Sequence, residues 1–130
     1  MKKVLFVCVE NAGRSQMAEA FGRAYGLEAS SAGTMPAEDV NPVVVQVMKE
    51  RGIALPGKPK MLTGEMIKEA DLVVTMGCSV QGVCPKPMVE QMKKKLLDWH
   101  IEDPKGKPIE EVRKIASHIE NKTIDLLKKN

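Results

Sequence analysis

Aromatic residues are scarce in this chain of 130 residues: one Trp, one Tyr and two Phe. A core with so few rings must be filled by Val, Ile, Leu and the nine Met, which then serve as packing rather than as a metal or cofactor box. The same scarcity argues against nucleic-acid binding. The basic runs Lys93-Lys94-Lys95 and Lys128-Lys129 have no stacking residues beside them and read as solvated helix faces. The remaining charge, net +3, is spread along the chain. No apolar run approaches the ~18 residues of a membrane span, and no charged-then-apolar leader precedes the first strand. A cytoplasmic protein without membrane contact is therefore expected. Three cysteines are too few, and odd in number, for a structural disulfide framework in a reducing compartment, so catalytic or redox-cycling thiols are the better reading. The length suits one domain, residues 1–130, able to bury a core without staples.

What the chain does contain is a stretch near its start, Val4-Leu5-Phe6-Val7-Cys8-Val9-Glu10-Asn11-Ala12-Gly13-Arg14-Ser15. Val4 to Val7 is a short continuous apolar run, as in a strand buried on both faces of a parallel sheet. From Ser15 the pattern turns helical, with Met17, Ala18, Phe21, Ala24 and Tyr25 at three- and four-residue steps. The loop between has the spacing Cys-x5-Arg. Such a loop can present successive backbone N–H groups to a tetrahedral oxyanion, and the helix behind adds the positive end of its dipole. The oxyanion-binding candidates are Glu10, Asn11, Ala12, Gly13, Arg14 and Ser15. The same field favours Cys8 as a thiolate nucleophile, with Ser15 in reach of its sulfur. Arg14 can bring its planar fork to two oxygens of the anion.

Further along, Gly26 closes the first helix and Leu27 to Ser31 is a second strand, followed by Ala32-Gly33. Asn41 and Pro42 open the next helix, Val43, Val44, Val47 and Met48 form its apolar stripe, and Gly52 stops it. Ala54 to Lys60 reads as a surface linker, Thr63 to Ala70 as a short helix, and Asp71 to Met76 as a third buried strand. Past Pro87 a basic amphipathic helix leads to a fourth strand, Leu96 to Trp99. The last helix starts at Pro108 and turns Ile109, Val112, Ala116, Ile119 and Leu126 to the sheet, with His118 outside that stripe. Strands alternating with helices imply a three-layer α/β/α sandwich with a four-stranded parallel sheet.

Two further segments carry chemistry. Met76-Gly77-Cys78-Ser79-Val80-Gln81-Gly82-Val83-Cys84-Pro85 sets two cysteines six apart among two glycines. Zinc would want Cys-x2-Cys, and His100 and His118 have no partner spacing. Buried structural cysteines and a redox relay remain, and the relay is favoured by the position of Cys78 at the carboxyl end of a strand. Asp103-Pro104 lies on a loop past the fourth strand, where Asp103 is either a general acid or the start of an Asx turn.

At these residues the chain resembles the low-molecular-weight protein tyrosine phosphatase superfamily, and more closely its thioredoxin-coupled arsenate reductase branch. The phosphatases read Cys-x-Gly-Asn-x-Cys-Arg-Ser-Pro; here Arg14-Ser15 is followed by Gln16-Met17-Ala18-Glu19, the reductase version, with Gln16 replacing the proline. Met-Gly-Cys followed by Cys-Pro is similar to the redox segment of the reductases, and Ser31-Ala32-Gly33 is similar to a family Ser-Ala-Gly that lies close to the anion loop, so Ser31 either supports that loop or satisfies its own turn. Glu10 stands where the phosphatases carry glycine, and Lys105 where they follow Asp-Pro with tyrosine. The resemblance implies sheet order 2-1-3-4, a phosphotyrosine phosphatase I-like fold, and Asp103 as general acid. It also implies attack of Cys8 on arsenate, a Cys8–Cys78 disulfide, transfer to Cys78–Cys84, and reduction by a thioredoxin-type dithiol. No cofactor is required. Some reductases hold potassium through loop Asn and Glu with Ser, Thr and Asp. This chain keeps Asn11, Glu19 and Ser31 but has Pro59 and Met61 near the other positions, so no metal is expected. The expected protein is a monomeric arsenate reductase. Its rivals are a phosphatase for phosphotyrosine or a small phosphomonoester, using Cys8, Arg14 and Asp103 alone, and an anion-binding module without turnover.

Overall fold

A computed structural model describes residues 3–55, 58–76 and 96–128. Its elements are β1 (Lys3–Cys8), α1 (Arg14–Ala24), β2 (Glu28–Gly33), α2 (Pro42–Glu50), α3 (Gly64–Glu69), β3 (Leu72–Thr75), β4 (Leu96–Asp98) and α4 (Ile109–Lys128). The four strands are parallel, in the order β2-β1-β3-β4 that the resemblance implies.

Strand β1 is central because both of its faces are apolar. Successive side chains of a strand point to opposite sides, so Val4, Phe6 and Cys8 join one hydrophobic cluster while Leu5 and Val7 join the other. The first cluster takes in Met17, Ala18 and Phe21 of α1, Val44, Val47 and Met48 of α2, and Val112, Ile115, Ala116 and Ile119 of α4. On the opposite face, Ile67 of α3 packs with Leu5, Val7, Leu62 and Val73. Helices on both sides of the sheet complete three layers. Phe6 is fully buried and its ring meets Trp99 at 5.5 Å between centroids. Truncating it to alanine would cost about 3–5 kcal/mol. Trp99 lies just beyond β4, so this contact also fixes the start of the loop that carries Asp103.

The helix ends follow local chemistry. Asn41 Oδ1 accepts the Val43 N–H at 2.9 Å, and Thr63 Oγ1 accepts that of Met66. Gly26 and Gly52 end helices with positive φ (93° and 78°), where a side chain would be strained. Three sequence expectations shift. The apolar stripe of α1 stops at Phe21: Ala24 and Tyr25 are exposed, and the Tyr25 hydroxyl instead donates to Glu120 on α4. β2 runs to Gly33, past the expected Ser31, because Ala32 and Gly33 pair with Val7 and Cys8. The chain after Ala54 is more than a surface linker, since Gly33 donates to Lys60 O and accepts from Leu62 N. The helix expected after Pro87 lies outside the described residues.

Candidate active site

Cys8 is the last residue of β1, on the carboxyl edge of the sheet where α/β folds hold their ligands. Loop residues 9–13 turn the chain into α1, whose N-cap, Gly13, makes no side-chain capping bond. The first N–H groups of α1 therefore have no side-chain cap at that position. Four carbonyls of this stretch are taken from one side: Thr34 N bonds Cys8 O, Met35 N bonds Val9 O, Ala37 N bonds Glu10 O, and Asn41 N bonds Ala12 O. A trans peptide sends its N–H opposite to its carbonyl. The N–H groups of Val9, Glu10, Asn11 and Gly13 are thereby turned away from the 34–41 segment, which is how a loop makes an anion cradle.

Behind the cradle lies a buried polar network. The backbone N–H of Lys60 donates to Asn11 Oδ1 at 2.9 Å, so this oxygen is the acceptor end of the amide. The amide nitrogen then donates to Ser15 Oγ at 2.7 Å. With its lone pair engaged by that donor, the Ser15 hydroxyl can turn its proton to Cys8 Sγ, 2.8 Å away. The Asn11 N–H also points to the sulfur at 3.2 Å. Two donors thus converge on the nucleophile candidate. Gln16 adds a bond from Nε2 to Asn11 Oδ1. Asn11 holds φ at 50°, a conformation asparagine tolerates better than most residues, and these bonds over-determine it. Gly33 permits the close approach of β2: a Cβ there would lie 2.6 Å from Val9 O.

Glu19 is almost fully buried beneath this network. Its carboxylate accepts from Ser31 Oγ at 2.7 Å and faces Lys60 Nζ at 3.6 Å and Arg23 at 3.5 Å, a compensation such a burial needs. Ser31 therefore acts on the loop only indirectly, through Glu19 and Lys60.

Cys8, Glu10, Ala12, Gly13, Arg14 and Asp103 all line one cavity of about 410 Å³. Asn11 and Ser15 sit behind it, fully buried. Arg14 Nη1 donates to Met76 O at 2.7 Å and Ile101 O at 3.1 Å, while Nη2 lies 3.9 Å from Asp103 Oδ2. Asp103 also accepts the Lys105 N–H at 3.0 Å, the Asx turn that its Pro-flanked setting suggested. The Asx-turn reading of Asp103 therefore holds, and the same residue lines the cavity. Cys78 and Cys84 lie outside the described residues. Among the described residues no group of three or more His, Cys, Asp or Glu gathers as a metal site, and no helix is long and apolar enough to cross a membrane.

Sequence reasoning missed the packing of Pro104 on the loop, where a Cβ on Gly13 would lie 2.8 Å from Pro104 Cγ. It also missed the ion pair between Lys105 Nζ and Glu10 Oε1, 3.1 Å apart at the cavity. Lys60 went unnoticed because its contribution is a backbone N–H as much as a charge.

Known proteins share this architecture. The chain is 31% identical to a glutaredoxin arsenate reductase of Synechocystis sp., over 99% of this chain and 98% of that one. Its fold matches the YwlE arginine phosphatase of Geobacillus stearothermophilus with a TM-score of 0.88 at 30% identity, covering 99% and 92% of the two chains. An arsenate reductase solved in its phosphate-binding state matches with a TM-score of 0.85 at 30% identity, covering 99% and 98%. Residues 3–130 match the low molecular weight phosphotyrosine protein phosphatase family, and the chain belongs to it.

Proposed function

We propose that this single-domain protein is an arsenate reductase that uses Cys8 as nucleophile and two further thiols as the source of electrons. The observation that carries the reading is the convergence of Asn11 N–H and Ser15 Oγ on a Cys8 sulfur at an open cavity, beside a loop with four carbonyls engaged on its far side. Arsenate sits among the loop N–H groups, and the Arg14 fork turns from its carbonyl partners to two of the oxygens. Cys8 attacks arsenic while Asp103 gives a proton to the departing oxygen, which leaves as water.

The second step is redox. Cys78 attacks the sulfur of the Cys8 adduct, and the S–As electron pair stays on arsenic, which leaves as arsenite. Two thiols have then become a Cys8–Cys78 disulfide. Cys84 attacks Cys78, frees the Cys8 thiolate and leaves Cys78–Cys84, which an external dithiol of the thioredoxin type reduces. The reaction needs no cofactor, and the enzyme works as a cytoplasmic monomer.

A phosphatase reading shares the first step and ends with water attacking a phosphocysteine. Family membership and the likeness to an arginine phosphatase favour keeping it as the alternative. The deciding experiment follows NADPH oxidation through thioredoxin reductase and thioredoxin, with arsenate as the only oxidant, and repeats it with a glutaredoxin system. Arsenate-dependent oxidation that disappears in Cys78→Ser supports reduction. Phosphoester turnover that survives Cys78→Ser and Cys84→Ser, with no arsenate-dependent oxidation, would put the phosphatase first.

A further inference from the structure

The cavity mouth poses an electrostatic problem. Of the described residues that line it, three carry carboxylates, Glu10, Asp39 and Asp103, against two cations, Arg14 and Lys105. An oxyanion site rimmed this way works only if the carboxylates nearest the loop are compensated. Asp103 lies 3.9 Å from Arg14, and Glu10 lies 3.1 Å from Lys105. The Lys105 backbone is itself tied down, donating to Asp103 Oδ1.

As a stabilising contact the Glu10–Lys105 pair is worth little. The Lys105 side chain is 73% exposed and that of Glu10 39%, and ion pairs at such exposure contribute almost nothing to folding. Its value lies in location. Glu10 follows Cys8 by two residues on the loop meant to receive an anion, and residue 105 faces it from the turn that bears Asp103. The rim also has no aromatic side chain, and none is available in this chain: Phe6, Phe21 and Trp99 are buried in the core, and Tyr25 is bonded to Glu120.

We propose that Lys105 is a specificity-determining residue whose ammonium cancels the Glu10 carboxylate, leaving a polar, ring-free mouth without that uncompensated negative charge, suited to a free tetrahedral oxyanion rather than to an aryl phosphoester. The inference rests on the oxyanion-site reading of the cavity and on no step of the thiol relay. Lys105 acts through Glu10, so its loss matters only while Glu10 is present.

Protection of Cys8 from iodoacetamide by inorganic phosphate, and separately by phenyl phosphate, tests this without turnover, with alkylation read on the Cys8 peptide by mass spectrometry. Lys105→Ala should raise the Kd for phosphate roughly three- to tenfold, the scale of one uncompensated charge in a partly solvated site. Lys105→Arg should stay within about twofold of the parent, because it restores the pair. Adding Glu10→Gln to Lys105→Ala should also return the Kd to within about twofold, the signature of coupling. The parent should bind phosphate more tightly than phenyl phosphate. Equal weakening by Lys105→Ala with Glu10 or Gln at residue 10 would overturn the inference, as would no weakening, or a parent that prefers phenyl phosphate. Failure of phosphate to protect Cys8 in the parent would overturn the oxyanion site itself, and this inference with it.

Discussion

Two segments meet at the cavity, and they are built on opposite principles. The loop from Cys8 to Ser15 is held by buried polar bonds: four of its carbonyls are engaged by residues 34, 35, 37 and 41, and its one left-handed residue, Asn11, bonds Ser15, Lys60 and Gln16. The facing turn, residues 102–107, is mostly exposed and held by Pro104 against Gly13, one Asx bond and ion pairs at the surface. Low-dielectric surroundings strengthen the first set of bonds, and solvent screens the second. The Cys8 thiol and the loop around it are therefore preorganised. Asp103 and the mouth, by contrast, can adapt to what arrives.

The difference can be broken from either side. Arg14→Lys should have the largest effect of the substitutions that keep the loop folded, a fall in kcat/KM of about 10²–10³-fold, since a point charge cannot replace the bidentate fork. Steady-state kinetics with arsenate would read it, and near-parental activity would remove Arg14 from the site. Asn11→Ala attacks the buried network. It should cost about 2–3 kcal/mol of stability, measured by urea unfolding, because the Lys60 N–H and the Ser15 hydroxyl lose their partner. Activity should fall at least about tenfold alongside, as the Ser15 hydroxyl loses the bond that orients it.

Gly13→Ala separates the segments. Its new Cβ would sit 2.8 Å from Pro104 Cγ, so the turn must retreat while the loop's internal bonds remain. We expect about a tenfold loss in the acid-assisted first step with a stability loss of about 1–3 kcal/mol. Equal losses in activity and in cradle affinity for phosphate would mean that the loop itself had moved.

The smallest effect belongs to the turn's own ion pair. Lys107 donates to Glu102 at 2.9 Å, and that bond holds its ammonium above the ordinary 10.5. A lysine raised in the folded state stabilises fully below its unfolded value, and the contribution is lost as pH rises through the folded one. Glu102→Gln should therefore flatten the stability profile above about pH 10.5. Arsenate turnover at neutral pH should stay within about twofold of the parent.

The fold and the loop were legible because their signals are local. β1 announces itself by a two-faced apolar run, α2 by Asn41-Pro42 and its stripe, and the cradle by the Cys8-to-Ser15 spacing. What the sequence hid depends on residues brought together from afar. Lys60 reaches Asn11 across 49 positions and Lys105 reaches Glu10 across 95, and neither contact leaves a periodic trace. Tyr25 was drawn into the apolar stripe of α1 by its spacing. A phenol needs a polar partner, and Glu120 on α4 supplies one at 2.6 Å, so the ring stays at the surface. The sequence left the Ser31 hydroxyl open between supporting the loop and satisfying its own turn, and it does neither directly, donating instead to Glu19.

The central claim is that Cys8 starts a reaction finished by thiols, and disulfide mapping after one equivalent of arsenate tests it most directly. The reduced protein is mixed with arsenate without external reductant, alkylated, digested and analysed by mass spectrometry. The account predicts a Cys78–Cys84 bond with Cys8 free in the parent, a Cys8–Cys78 bond in Cys84→Ser, and no arsenate-dependent bond in Cys8→Ser. Arsenate-dependent Cys78–Cys84 formation in Cys8→Ser, or fully reduced cysteines in a parent that has consumed arsenate, would contradict it.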